Sequence, residues 1–141
     1  MRVLLDTNIV IDVFQHREPW FDNSWRIFRG AIDKKFIGCI TAKEAADIHY
    51  FMKKFFKGQE NTDQKAREVL TSLFHIFELL DTKSTDCEKA VDSNCPDYED
   101  AVMIETAVRE EIDYIITRNV RDYINSSVPV LSPADFLRNY I

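Results

Sequence analysis

The sequence predicts a single α/β domain, residues 1–141, with a central, mostly parallel sheet of four to five strands and helices on both faces. Three observations carry this expectation. Short apolar runs of strand length alternate with longer segments at helical spacing, the pattern of a parallel sheet wrapped by crossover helices. A chain of 141 residues that is 45% hydrophobic fills one core and is too short for two domains of ordinary size. No internal repeat or low-complexity linker divides it.

Arg2-Val3-Leu4-Leu5 is β-prone and too short for a core helix, and Asp6-Thr7-Asn8 supplies capping side chains for a helix from about Asn8 to Gln15. Beyond Arg17-Glu18-Pro19, a second helix is expected from about Trp20 to Asp33, with Trp20, Ser24, Ile27, Phe28 and Ala31 in helical register. Phe36 to Ile40 reads as a second buried strand. Thr41 then caps a helix to about Lys57, with Ala45, Ile48, Phe51, Met52 and Phe55 as its inward stripe and Gly58 closing it. Asn61 or Thr62 opens a helix to about Leu73, and Ile76 to Leu80 is a third strand. Ser84 or Thr85 begins a helix through Val91, and Pro96 takes the first position of another lasting to about Glu110. The β-branched and aromatic content of 113–117 and of 128–131 gives the last two strands, and Ser132-Pro133 starts a terminal helix.

Composition excludes several classes of function. With 24 acidic against 18 basic residues, a net charge of -6, bulk positive charge cannot be what grips a nucleic acid. Three glycines cannot build either common glycine-rich nucleotide loop. Three cysteines without a C-x-x-C pair argue against a disulfide framework or a cysteine zinc site and favour a reducing cytoplasm. No apolar run approaches a membrane span, and Asp6 and Asp12 interrupt what would be a signal peptide's core, so a soluble chain with no export segment is expected. His16, His49 and His75 lack metal-ligand spacing and read as packing or surface residues.

In parallel α/β sheets, sites form beyond the carboxyl ends of the strands. Asp6 follows the first strand; Thr117, Arg118, Asn119 and Asp122 follow the fourth; Asp113 precedes it and belongs at the opposite end as a cap or surface charge. Asp97 and Asp100 share a helix face with Ile104, and Asp47 lies beside Ile48 after the second strand. Carboxylates gathered in a partly dry cleft repel one another unless a cation is present. Magnesium or manganese suits an open site of Asp oxygens better than zinc does. Each acid also has an ordinary reading: Asp6 as a helix cap, Asp100 as a first-turn charge, Asp47 as a surface residue, Thr7 and Asn8 as cap residues.

Three ordered blocks, Val3-Leu4-Leu5-Asp6-Thr7-Asn8, Asp97-Tyr98-Glu99-Asp100-Ala101-Val102 and Asp113 to Tyr123, together with the closing Pro129 to Leu137, resemble the PIN-domain ribonucleases, and among them the small bacterial VapC-type toxins. The resemblance implies that Asp6 and Asp100 hold Mg2+ or Mn2+. It also implies that Thr117 and the residues after it form the fourth site position, where Asn119 replaces the usual acid of a T-x-D arrangement. Asp122 compensates for that loss or fills the corner supporting the loop. The second acid, usually a Glu early in the helix after the second strand, corresponds by spacing to Asp47, or to Glu44 if the helix is shifted by one turn. A neutral Asn119 lowers the site's charge and its affinity for the cation.

The chemistry so implied is hydrolysis of an RNA phosphodiester in the reducing cytoplasm, with Asp6, Asp47, Asp100 and Asn119 as the catalytic set and Thr7, Asn8, Asp97, Thr117, Arg118 and Asp122 supporting it or binding substrate. A homodimer and an antitoxin protein that fills the acidic cleft are implied as partners. Two other readings compete: a catalytically weakened PIN module that binds RNA or a protein, and an aspartate phosphotransfer domain, for which no lysine follows a late strand. Substrate contact needs local positive charge. Arg118 and Arg121 offer one source. Lys43, Lys53, Lys54 and Lys57, interleaved with Phe51, Phe55 and Phe56, offer another, unless that run is only a solvated helix face with its aromatics buried or in a dimer contact.

Overall fold

The computed structural model describes all 141 residues. Five parallel strands lie in the order β3-β2-β1-β4-β5: β1 (Arg2–Leu5), β2 (Ile37–Thr41), β3 (Glu78–Leu80), β4 (Tyr114–Ile116) and β5 (Val130–Leu131). Between them run α1 (Thr7–Phe14), α2 (Phe21–Ile32), α3 (Ala42–Phe55), α4 (Thr62–Ile76), α5 (Ser84–Val91), α6 (Tyr98–Arg109) and α7 (Pro133–Tyr140). A single 3-10 turn, Val120–Tyr123, follows β4. No helix is long and apolar enough to cross a membrane.

Alternation along the strands decides which helix goes where. Val3 and Leu5 of β1 point to the face that buries α1 to α4 and α7, where Phe28, Ile48, Met52, Leu73 and Phe136 meet. Leu4 points to the other, where Ala101, Met103, Ile104, Ile115 and Tyr123 pack. Each large apolar side chain buried in this way contributes about 1.5–3 kcal/mol. The second layer is also tied by charge: Asp86 of α5 accepts from Arg109 Nε and Nη2 of α6 at 2.9 Å each, and from Thr106 Oγ1 at 3.0 Å. Burial alone would raise this carboxyl. Arg109, the Lys83 amide and Thr106 outweigh it and hold Asp86 below the usual carboxylate range.

Four expectations change in detail. Pro96 lies outside its helix: the Asp97 carboxylate accepts from the Asp100 amide at 3.1 Å, so Asp97 is the cap and α6 starts at Tyr98. α4 continues through Ile76, which delays β3 to Glu78. Trp20 precedes α2 and is exposed rather than part of its stripe. Phe51 and Phe55 also face outward; Ile48 and Met52 alone carry the fully buried stripe of α3. Asp113, at the opposite end of the sheet, accepts from the Arg2 amide at 2.7 Å.

Candidate active site

The parallel register sets the carboxyl ends of β1, β2 and β4 side by side, since Leu5 pairs with Ile116 and Leu4 with Cys39. The residues immediately after these strands therefore meet. The Asp6 amide donates to Ile116 O at 2.9 Å. Its carboxylate accepts from Thr117 Oγ1 at 2.7 Å and Asn8 Nδ2 at 3.3 Å. Thr117 is itself buried and held from both sides, accepting from the Asn119 amide at 3.0 Å and from Asn8 Nδ2 at 3.3 Å. These bonds fix the Asp6 rotamer before any ligand arrives.

Glu44 comes from β2's side. Thr41 and Glu44 form a capping box: the Thr41 hydroxyl accepts from the Glu44 amide at 3.1 Å, and the Glu44 carboxylate accepts from the Thr41 amide at 2.8 Å. The other carboxylate oxygen accepts from Thr7 Oγ1 at 3.2 Å. Thus the cap that starts α3 also turns an acid inward, beside Asp6. Asp100 enters from the first turn of α6. Together with Asp47 and Glu99 these groups put five carboxylates around one cavity of about 100 Å³, with Lys43 as its single cation.

Burial, with like charge close by, raises the inner acids. Burial, with Asp6 close by, pushes Glu44 up to about 8 against the opposing hydrogen bonds of Thr41 and Thr7. Burial and then Asp6 and Asp97 push Asp100 up to about 7. Asp6 is raised by burial despite the Thr117 hydrogen bond. Tyr123 sits under the cluster, 2% exposed, and its hydroxyl has no hydrogen-bond partner although it lies close enough to influence Asp6 and Asp100.

A pattern characteristic of the PIN domain matches residues 2–121. This chain belongs to the PIN-domain family. Ribonuclease VapC1 of Aquifex aeolicus is 22% identical over 144 residues, covering 99% of this chain and 95% of the relative. Among solved structures, FitAcB from Neisseria gonorrhoeae superposes with a TM-score of 0.71 at 15% identity, over 94% of this chain and 98% of that one. A toxin-antitoxin complex from Klebsiella pneumoniae gives 0.67 at 21% identity, over 93% and 97%. At such identities the structures speak for the fold: a parallel-sheet α/β domain shared with this PIN domain.

Within the PIN domain, the residues expected from sequence fall into an inner and an outer group. Asp6, Thr7, Asn8, Thr117 and Asp100 are drawn together. Asp47 lies on the cavity's rim and ion-pairs with Lys43, which also reaches Glu99 at 3.3 Å; the buried acid of α3 is Glu44, one turn earlier. Asn119 is exposed, with its amide rather than its side chain tied to Thr117. Asp122 is exposed, yet near enough to raise Asp6 and Asp100. Arg118 turns away from the acids: Nε and Nη2 grip the buried Asp12 at 2.7 and 3.1 Å, and the guanidinium covers the Trp20 ring at 4.0 Å. Its charge is engaged within the protein, because the buried Asp12 has only one other ion pair, the longer contact with Arg17 at 3.9 Å.

Two contributors, Tyr123 and Asp12, carry no site signal in the sequence. Tyr123 carried no signal beyond its place in the last motif block, and the Asp12 to Arg118 pairing spans a separation no local pattern reveals. Glu44, the alternative to Asp47 in the sequence, has a further local signal: Thr-x-x-Glu before an apolar helical stripe is a capping box. No three His, Cys, Asp or Glu side chains stand close enough together to hold one metal ion between them. A donor set of crowded carboxylates, raised titration and an unpartnered hydroxyl beneath them nevertheless fits a magnesium-like ion, which commonly takes one or two carboxylates and keeps its waters.

Proposed function

We propose that this PIN domain is an Mg2+- or Mn2+-dependent endoribonuclease, the toxin of a toxin-antitoxin pair, working in the cytoplasm. The observation that carries the proposal is the cavity of five carboxylates at the meeting point of β1, α3 and α6. The ribonuclease relative and the toxin-antitoxin complexes of similar fold support it. Asp6 and Asp100 would hold the ion, with Glu44 beside them. When bound there, such an ion would supply neutralisation of the phosphate and a more acidic water for in-line attack.

The chain's own residues do the rest. Thr117 and Asn8 hold Asp6 in place. Glu44, raised by burial and by Asp6 beside it, would add its carboxylate to the set that holds the ion. Asp47 shares the cavity's edge with Lys43, which offsets part of the acid excess there. Met103 lines the same cavity, and the buried Tyr123 lies near Asp6 and Asp100. An antitoxin presenting a cationic side chain to these acids, and a homodimer, complete the proposed assembly.

Cleavage of single-stranded RNA with Mn2+ tests the reading. Asp6→Asn and Asp100→Asn are each expected to lower the rate at least about 100-fold, given what charge stabilisation of this kind contributes. Full activity in either purified variant would sink it, and a wild-type protein that binds RNA without cutting it would favour the weakened, RNA-binding PIN module.

A further inference from the structure

The run of lysines and phenylalanines on α3 is divided by the fold. Lys43 joins the acid cleft and Phe56 packs against the core, whereas Lys53, Lys54, Lys57, Phe51 and Phe55 remain on an open surface. Two hollows lie along this surface. One, between α1 and α3, is bordered by Thr7, Asn8, Arg17, Phe51, Lys54 and Phe55. The next is bordered by Tyr50, Lys53, Lys54, Lys57 and Thr62. They share Lys54, and the first shares Thr7 and Phe51 with the acid cavity. Neither has an Asp or Glu on its wall, in a chain whose net charge is -6.

We propose that this acid-free path is the track on which a single-stranded RNA lies as it enters the acid cleft, with Phe51 and Phe55 stacking bases and Lys54 and Lys53 meeting phosphates. The assignment rests on the ribonuclease reading and adds to it where the strand runs and what holds it. Glu44, Phe51 and Phe55 fall on one stripe of α3, and the helix rise sets about 16 Å between its ends. The track therefore leads directly away from the acids.

Charge and exposure choose this occupant. Phe51 and Phe55 are 42% and 47% exposed, and unpaired bases give such rings a partner of any sequence, whereas bases inside a duplex are already stacked. A two-fold contact with a second copy would set this patch against itself, cation facing cation. A polyanion relieves the same repulsion.

The test is equilibrium binding of a fluorescently labelled single-stranded RNA of about 12 nucleotides to the full chain in EDTA, read by anisotropy. Phe51→Ala and Lys54→Ala should each weaken binding about tenfold, with unchanged melting temperature. Lys54→Ala should also reduce the slope of log affinity against log salt by about 0.7. A duplex of the same sequence should bind more weakly and respond little to either change. Unaltered single-strand affinity in both variants overturns the track, as does equally tight duplex binding. So does a loss of affinity that accompanies dissociation of a dimer in sedimentation. If the variants lose affinity while the parent cuts no RNA with Mn2+, the track stands and the nuclease reading falls; cleavage with unaltered affinity gives the reverse.

Discussion

At the scale of single residues, Asp12 and Arg118 show how a buried charge constrains a loop. Asp12 is fully buried on α1, receives two hydrogen bonds from Arg118 and one from Ser24 at 3.3 Å, and pins the segment after β4 next to Asp6. Removing one partner strands the other: Arg118→Met is expected to cost about 3–5 kcal/mol in urea unfolding. The double change Asp12→Leu with Arg118→Met should recover most of that loss, because an apolar pair of similar volume leaves no charge behind. A double variant as unstable as the single one would contradict the pairing as the cause. Sequence inspection assigned Arg118 to substrate because it sits beside the acids in the chain. Only the fold reveals that its side chain is directed to α1 and Trp20.

At the scale of the element, α3 joins stability to site geometry. Its capping box uses Glu44 as one half, so a residue that starts the helix is also one of the inner acids. Thr41→Ala should cost about 1 kcal/mol, as lost caps do, and should also slow RNA cleavage, since the Glu44 backbone amide then loses the hydroxyl that fixes the first turn from which its carboxylate projects. Urea unfolding and a cleavage assay on the same preparation check both; unchanged cleavage with the expected stability loss would separate the two roles. Secondary elements were legible because their signals are local: the apolar run of β1, Thr41 before α3, and Ser132-Pro133 before α7. What sequence spacing did not reveal was rotation. Asp47 and Glu44 differ by three residues on α3, and the choice of inward acid depends on how the helix rolls on β2, which is decided by Ile48 and Met52 entering the core while Phe51 stays out. Asp6 and Asp100 were legible because each sits at an element boundary, beyond a strand and in a helix's first turn, where little rotation is possible.

At the scale of the whole molecule, the acids make stability depend on pH. Glu44 at about 8 and Asp100 at about 7 keep protons in the folded chain that the unfolded chain releases near pH 4. Between those limits the native state binds more protons, so stability falls as pH rises. Asp86 acts in the opposite sense: held low by Arg109, it supports the fold above the unfolded carboxylate range and loses that contribution as pH drops below it. In EDTA the melting temperature should therefore be highest in mild acid and lower at pH 8. Adding Mg2+ should raise it at pH 8 with little effect near pH 5. Scanning fluorimetry across this range checks the sign, and a profile flat from pH 5 to 8 would contradict it.

The strand order β3-β2-β1-β4-β5 has a consequence in time as well as space. Thr117, which anchors the Asp6 carboxylate, is 111 residues further along the chain, and β4 must dock beside β1 before the two can meet. A nascent chain that has emerged only through α6 already possesses Asp6, Glu44 and Asp100 but lacks the hydroxyl of Thr117 that holds the Asp6 carboxylate. The acid cleft is thus completed only once β4 has docked, and a polypeptide truncated before β4 lacks the anchor of its first acid.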